Sequence, residues 1–313
     1  MRTTSIHLLL LAALLPMHPL LAKAPFELRL WEGVAPGSEG VTDKEKVVER
    51  GDGKTLIDRS ISDTVTPTIT VHLPEKAKQA TAAVVIVPGG GLTRAVIDKE
   101  GNDLARVLVR AGVAGIVLKF RNAKTSTTFN GIEIMEADIR RAIRLTRFHA
   151  DQWNINPKRI GTFGFSAGGI VAVTPLIHPQ GERPDEQDRI EKQSSKVAFF
   201  AGAYPLLSMQ TEVAGVAYQQ LLFGDQPTQQ QIDKYSAELH VTKNMPPAFL
   251  AHALDDKGVI AENSLRLEAA YKKAGARVRC FFRDTGGHGY GIRDQGNPIN
   301  KWVNSFMIWI QEQ

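Results

Sequence analysis

Apolar and polar positions follow two different patterns along this chain of 313 residues. Residues 26–31 and 68–73 alternate apolar with polar side chains, which predicts half-exposed strands, the first of them at a sheet edge. Further along, the strand-like runs become almost wholly apolar, as is typical of strands covered on both faces. These runs lie at 82–87, 114–119, 197–201, 248–253 and 278–282.

Helical patterns separate the apolar runs, at 101–111, 132–151, 261–274 and 300–311. Strands that alternate with helices predict the α/β class, with a mostly parallel central sheet and helices on both faces. Residues 32–53 are rich in glycine, proline and charge and predict a surface loop. Residues 208–244 are less regular, and we predict a small cap insertion there, over the carboxyl edge of the sheet.

The helix predicted over 132–151 carries one apolar stripe and a set of arginines. The arginines lie largely off the stripe, so we interpret them as a solvated face rather than as an anion site. They are Arg140, Arg141, Arg144 and Arg147.

A short apolar segment opens the chain. Arg2 precedes the apolar run 6–15, Pro16 breaks that run, and Ala22-Lys-Ala24 is a small-x-small cleavage pattern. Because the run is too short to span a membrane, residues 1–24 predict a signal peptide that is removed. We therefore expect residues 25–313 to form one domain that is periplasmic or secreted.

Charge and composition exclude several kinds of partner. The formal charge of +5 falls to +3 when Arg2 and Lys23 are removed with the signal peptide. The remaining basic residues are scattered among acids, so we expect neither a nucleic-acid partner nor membrane binding after cleavage. Cys280 is the sole cysteine and cannot form a disulfide within the chain. No His-Glu-x-x-His or other metal spacing occurs, and we expect no metal and no cofactor.

Residues 159–170 contain the pattern Gly-x-Ser-x-Gly between a strand-like run and an apolar helix-like run. In that context the serine, Ser166, is expected on a sharp strand-to-helix turn with its hydroxyl exposed above the sheet. Gly164 and Gly168 are needed because a Cβ at either position would collide with a neighbouring element. The motif alone is common, so its significance depends on a base, an acid and an oxyanion site.

The required base and acid follow the serine in the order Ser, Asp, His. Asp255 and Asp256 follow the apolar run 248–253, and His288 lies in a glycine-rich loop after the run 278–282. All three would reach the sheet edge at which Ser166 lies, so His288 is the expected general base. Either aspartate could orient it, and position directly after the strand favours Asp255. The other histidines, at 72, 178, 240 and 252, are interpreted as structural.

The oxyanion site is predicted at the glycine run 88–92, which ends an earlier buried strand. Glycines let backbone N–H groups approach a developing alkoxide closely. The second contributor is expected to be the N–H of Ala167, the residue after the nucleophile. A phosphate-binding loop is disfavoured because no Gly-x-Gly-x-x-Gly and no Gly-Lys-Ser/Thr is present. A plain turn remains possible but would not explain three glycines at this edge.

With these residues placed, the chain resembles esterases of the α/β-hydrolase fold, in particular the group of acetylxylan esterases and feruloyl-esterase-like or dienelactone-hydrolase-like enzymes. The resemblance implies Ser166 as nucleophile, Asp255 as acid and His288 as base. It also implies an oxyanion hole formed by Gly90, Gly91 and Ala167. The matching segments are 87–91, 99–106, 117–121, 138–143, 161–169, 252–264 and 284–291.

Two positions depart from the family pattern. Lys99 stands where the family often has histidine, and Phe120 where it often has tyrosine. Neither position belongs to the triad, but either could border the substrate pocket, so the departures bear on the sugar preference more than on hydrolysis.

The sequence thus favours an exported serine esterase that removes short acyl groups, such as acetyl, from a carbohydrate or small ester. One alternative is a serine peptidase of the prolyl-oligopeptidase type, which has the same triad order. Such peptidases carry a propeller ahead of the hydrolase, and roughly 60 residues there could not form blades of about 40 residues each. The other alternative is a binding protein with an inactive triad on the same scaffold.

Overall fold

The computed structural model describes residues 24–75, 79–294 and 296–313. The predicted signal peptide lies outside the described residues except for Ala24. Across the described ranges, no helix combines the length and the apolar character needed to cross a bilayer.

The strands of the main sheet fall close to the predicted runs, and most of them are buried, whereas three short strands have no predicted counterpart. Those of the described ranges are, in chain order, β1 (Phe26–Arg29), β2 (Lys46–Glu49), β3 (Arg59–Ser62), β4 (Thr68–His72), β5 (Thr81–Val87), β6 (Arg94–Val96), β7 (Ala114–Lys119), β8 (Ile155–Phe165), β9 (Phe200–Ala203), β10 (Ala248–Ala253) and β11 (Val278–Arg283).

Eight of these strands form the main sheet, in the order β1-β4-β7-β5-β8-β9-β10-β11. β1 and β4 pair antiparallel, as do β4 and β7, whereas every pair from β7 to β11 is parallel. The first strand, which is mostly exposed, lies at the sheet edge as predicted. The prediction of a mostly parallel sheet is confirmed.

Helices connect the strands and cover both faces of the sheet, so that two apolar clusters form, one on each side. The α-helices are α1 (Asp103–Arg110), α2 (Gly131–Phe148), α3 (Ala150–Trp153), α4 (Gly168–Ile177), α5 (Thr211–Ala214), α6 (Val216–Phe223), α7 (Gln229–Lys234), α8 (Glu262–Ala274) and α9 (Trp302–Gln311). A π-helical turn at Asp98–Asn102 precedes α1, and short 3₁₀ helices lie at Ala237–His240 and Pro298–Lys301.

The surface loop predicted over residues 32–53 contains a strand that its composition does not reveal. β2 pairs with β3, and β3 with β6, in a second, three-stranded antiparallel sheet. β2 is exposed along its whole length, so no apolar run identifies it. Its partners come from later in the chain, which local sequence cannot show.

The prediction that the arginines of α2 form a solvated face is wrong, because Arg140, Arg141 and Arg144 are each only 3% exposed. They bind the irregular segment 178–196. Arg140 donates to the carbonyl of His178 (2.7 Å), and Arg144 to that of Gln193 (3.0 Å).

Arg147 completes this set by donating to the carbonyls of Ser194 and Lys196. Glu191 of the segment forms ion pairs with Arg141 and Arg144. We call these four arginines and the segment 178–196 the arginine clamp. The apolar stripe of α2 is buried as predicted, and the clamp lies beside it.

The segment predicted as a cap, 208–244, contains α5, α6, α7 and a 3₁₀ turn. Its first residues are held by Asn263 of α8, whose side-chain oxygen accepts from the N–H groups of Leu207 and Ser208. Tyr218 of α6 is half-buried, and burial together with the charge of Asp256 raises its pKa. Asn263 therefore anchors the start of this segment to α8.

Candidate active site

The carboxyl ends of five neighbouring strands, β5, β8, β9, β10 and β11, bring polar groups to one edge of the sheet. In open α/β sheets this edge is where ligands bind. The residues that the strands deliver there, in the same order, are Gly89, Ser166, Tyr204, Asp256 and His288.

Ser166 occupies the turn between β8 and α4 in a left-handed backbone conformation, with φ +48°. For a residue with a Cβ this conformation costs about 1 kcal/mol or more, which is typical of a functional turn. The prediction for the flanking glycines is confirmed. A Cβ at Gly164 would lie 2.5 Å from Gly169 Cα, and one at Gly168 would lie 2.4 Å from Pro88 O.

The structure brings Ser166 and His288 together as the sequence predicts, although they are 122 residues apart. Ser166 Oγ lies 2.8 Å from His288 Nε2. On the other side of the ring, His288 Nδ1 lies 2.7 Å from Oδ2 of Asp256. The histidine side chain is 29% exposed, whereas the aspartate side chain is fully buried.

The acid in contact with His288 is thus Asp256, and the prediction of Asp255 is wrong. A turn after β10 explains the difference, since Asp256 N–H donates to the carbonyl of Ala253 at 3.2 Å. This turn leaves Asp255 exposed and directs the following carboxylate inward. Asp255 instead accepts the N–H of Gly287 at 2.8 Å and so holds the loop before the histidine.

Four groups point at the Asp256 carboxylate. Oδ1 accepts the N–H groups of Gly258 and Val259, and Oδ2 faces the rings of His288 and His252. Burial alone would raise the pKa of Asp256. The hydrogen bonds from the two histidines and the charge of His288 outweigh burial and hold this pKa well below its usual range. The carboxylate is therefore ionised at neutral pH and can accept the Nδ1–H of His288.

His252 is a contributor that sequence analysis interpreted as structural. Its Nε2 lies 2.9 Å from the carbonyl of Val259, which can only accept, so this nitrogen carries the proton. Nδ1 then accepts from Ser264 at 2.8 Å. The same Nε2 is 3.3 Å from Asp256 Oδ2. The ring thus stabilises the acid, and no local motif distinguishes it from an ordinary strand histidine.

The glycine run after β5 divides into two parts. Gly89 packs beneath the nucleophile, since a Cβ there would lie 2.6 Å from Ser166 Cβ, and its N–H donates to Glu100 at 2.9 Å. Gly90 and Gly91 have φ values of +130° and +65°, which favour glycine. Within the described ranges, the N–H groups of Gly90, Gly91 and Ala167 find no acceptor. They are the three groups expected to form the oxyanion hole.

Two further residues at this edge were not singled out by sequence analysis. Tyr204 follows β9, is fully buried, and places its ring 5.0 Å from the ring of His288. Glu100, 6% exposed, accepts the Tyr204 hydroxyl at 2.9 Å. Burial raises the pKa of Glu100 against the opposing hydrogen bonds from Tyr204 and Gly89. Neither belongs to a motif whose spacing predicts catalysis.

The two departures from the family pattern lie in different surroundings. The side chain of Lys99 runs along the loop after His288, because a Cβ at Gly291 would lie 3.0 Å from Lys99 Cε. Phe120 is fully buried in the apolar core. Only Lys99 is therefore placed beside the loops of the site.

Comparison with known proteins agrees with this geometry. The BD-FAE family matches residues 69–271, which is most of the chain. An acetylxylan esterase of Xylanibacter ruminicola is 29% identical over 238 residues, or 74% of this chain and 45% of that protein. Endo-1,4-beta-xylanase B of Butyrivibrio fibrisolvens is 26% identical over 67% of this chain and 32% of that protein. This chain spans less than half the length of these curated relatives.

Solved structures show the same fold. An acetyl ester-xyloside bifunctional hydrolase from Caldicellulosiruptor lactoaceticus superimposes with a TM-score of 0.75 at 25% identity, over 92% of this chain and 96% of that one. The esterase Est2 of Thermogutta terrifontis, in its propionate-bound form, gives a TM-score of 0.64 at 24% identity, over 80% and 89%. The α/β-hydrolase fold that the sequence predicts is confirmed.

Proposed function

The chain belongs to the BD-FAE family of α/β-hydrolase esterases, and from this premise we propose that it hydrolyses carboxylic esters through Ser166. The substrates are short acyl esters, such as acetyl groups on a carbohydrate or a small alcohol. The observation that carries the proposal is the hydrogen-bonded series Ser166–His288–Asp256, with distances of 2.8 and 2.7 Å.

The protonation states of this series suit nucleophilic attack. In the neutral imidazole, donation of Nδ1–H to the ionised Asp256 leaves Nε2 unprotonated, so that Nε2 accepts the Ser166 hydroxyl proton. The serine oxygen then attacks the ester carbonyl. The imidazolium that forms lies between the buried Asp256 carboxylate and the leaving alcohol, to which it returns the proton.

The negative charge of the tetrahedral intermediate needs donors that are not already engaged. The N–H groups of Gly90, Gly91 and Ala167 meet that requirement, and Ala167 stands at the N-terminus of α4, where the helix dipole favours an anion. Water, activated by the same histidine, then hydrolyses the acyl-enzyme and regenerates Ser166.

The acetyl–carbohydrate assignment rests on the relatives, whose names include an acetylxylan esterase and an acetyl ester-xyloside hydrolase. Export to the periplasm or medium rests on the sequence of residues 1–24. To test it, the full chain is expressed and the mass of the protein is measured in the cytoplasmic and exported fractions. Accumulation of the full-length chain in the cytoplasmic fraction alone would contradict export.

Three substrates separate this function from its alternatives. The purified protein and Ser166→Ala are compared on p-nitrophenyl acetate, acetylated xylo-oligosaccharides and a prolyl peptide amide. We expect ester hydrolysis that the substitution lowers by about three orders of magnitude or more. Equal rates of the two proteins on every substrate would eliminate the enzyme hypothesis. Cleavage of the amide without cleavage of the esters would favour the peptidase.

A further inference from the structure

Glu100 has a buried carboxyl group that takes no part in the proton transfers described above. It lies in the π-helical turn Asp98–Asn102, at the carboxyl edge of the sheet. Across the described ranges, it forms no ion pair with a lysine, arginine or histidine. Burial raises the pKa of Glu100, while the hydrogen bonds from Tyr204 and Gly89 and the more distant charges of His288 and Lys99 oppose that shift. With no ion pair in direct contact, the hydrogen bonds are the direct contacts that hold this carboxyl group in place.

Each oxygen of Glu100 accepts from a different loop of the site. Oε2 accepts the N–H of Gly89, whose Cα lies against the nucleophile. Oε1 accepts the hydroxyl of Tyr204. The same hydroxyl oxygen accepts the N–H of Gly291 at 3.0 Å, three residues after His288. One continuous series of hydrogen bonds therefore joins the glycine loop to the histidine loop.

Tyr204 is held in this series by both its backbone and its side chain. Its backbone has φ +42°, which is rare for a residue with a side chain, and its N–H donates to the carbonyl of Ala251 in β10 at 2.7 Å. The preceding carbonyl, that of Ala203, accepts the N–H of Ser166. The ring packs edge-on against His288 at an interplanar angle of 69°. The tyrosine thus contacts the elements that carry both the nucleophile and the base.

We infer that Glu100 and Tyr204 are positioning residues. They hold the glycine loop after β5 and the loop that carries His288 in fixed positions relative to Ser166. The inference rests on the proposed ester hydrolysis. By accepting the Gly89 N–H, Glu100 fixes the start of the loop and leaves the next two N–H groups free for the oxyanion. By accepting the Gly291 N–H, Tyr204 fixes the loop behind the imidazole.

The decisive variant is Tyr204→Phe, which keeps the ring and removes only the hydroxyl. A matched control exists, because Tyr235 is also buried and donates its hydroxyl to a glutamate, Glu136, at 2.9 Å, within the packing of α2. We expect Tyr204→Phe to lower kcat on p-nitrophenyl acetate about ten- to hundredfold with little change in KM, since misplacement of the catalytic loops affects the transition state. Tyr235→Phe should stay within about twofold.

Glu100→Gln supplies a second variant in case Tyr204→Phe folds poorly. The amide offers one acceptor oxygen for two donors, so one of the two loops loses its partner. If the two residues act as one series, the double variant should be about as impaired as the worse single variant. Fully multiplicative losses would contradict a shared role, as would a Tyr204→Phe enzyme no slower than the Tyr235→Phe control.

A readout without turnover separates this inference from the function itself. A p-nitrophenyl phosphonate ester labels an activated serine once, and mass spectrometry follows the labelling rate. We expect slower labelling of Ser166 in Tyr204→Phe and an unchanged rate in Tyr235→Phe. If the unaltered protein is labelled normally but hydrolyses no ester, the proposed function is refuted. The labelling rates of Tyr204→Phe and Tyr235→Phe still test the inference in that case. Equal labelling of the two tyrosine variants would overturn it.

Discussion

The arginine clamp and the carboxyl edge of the sheet where Ser166, His288 and Asp256 meet, which we call the triad edge, are both buried polar clusters. They differ in whether their hydrogen-bonding groups find partners within the protein. In the clamp, the guanidinium groups of Arg140, Arg141 and Arg144 all bind carboxylates or carbonyls of the chain. At the triad edge, the N–H groups of Gly90 and Gly91 find no acceptor in the described ranges.

The difference distinguishes a polar cluster that supports the fold from one that is ready for chemistry. A saturated cluster fixes its segment, because every group that opened would lose a partner. The free N–H donors, beside Ser166 in its strained conformation, can bind the negative charge that develops on the substrate oxygen during the reaction. The comparison predicts that substitutions in the two clusters affect different quantities.

The largest expected effect concerns the acid of the triad edge. Asp256→Asn should lower kcat about 10⁴-fold, because the amide no longer holds the imidazole in the productive tautomer. Asp255→Asn should cost less than about tenfold, since Asp255 only accepts the Gly287 N–H. Steady-state kinetics on p-nitrophenyl acetate measure both. A larger loss in Asp255→Asn would transfer the role back to the first aspartate.

A substitution in the clamp should change stability rather than chemistry. Arg144→Met leaves the carbonyl of Gln193 and the side chain of Gln180 without their donor. We expect the free energy of unfolding to fall by about 3 kcal/mol, with kcat of the folded enzyme within about twofold. Urea unfolding beside Arg110→Met, which alters an exposed arginine of α1, provides the control. A stability equal to that of the control would mean that the clamp does not support the fold.

The smallest expected effect is the dependence of stability on acid. The folded pKa of Asp256 is below its usual range, so this group contributes stability above the unfolded pKa of about 3.9 and loses it as pH falls. The stability difference between the unaltered protein and Asp256→Asn should therefore shrink below about pH 4. Ser166→Ala removes no titrating group, and its stability difference should stay constant. A difference for Asp256→Asn that grows with acid would contradict the depressed pKa.

Sequence analysis succeeded where a residue's position follows from its element. Ser166 and His288 each follow a strand of the main sheet, and parallel strands bring their carboxyl ends to one edge, so their meeting was predictable. Asp255 and Asp256 both satisfy that rule. The turn that directs only Asp256 inward depends on a backbone hydrogen bond to Ala253, which no residue pattern reveals.

The remaining differences come from partners that are distant in the chain. The period of α2 identifies its apolar stripe but not what covers the rest of the helix, so burial of Arg144 beneath residues 178–196 could not be predicted. Glu100 and Tyr204 are 104 residues apart and meet only through the sheet topology. A buried carboxylate beside a tyrosine hydroxyl has no local signature.

The most direct test of the account is to identify the residue that carries the acyl group. The protein is mixed with p-nitrophenyl acetate, quenched in acid within the first turnovers, digested and analysed by mass spectrometry, beside Asp256→Asn and Ser166→Ala. For the unaltered protein, the account predicts one acetyl group on the peptide that contains Ser166. The same acetylated peptide accumulates in Asp256→Asn if the substitution slows deacylation more than acylation. Ser166→Ala should yield no acetylated peptide. Two results would contradict the account. One is hydrolysis that persists without acetylation of Ser166, and the other is an acetyl group at a different residue that turns over at the rate of hydrolysis.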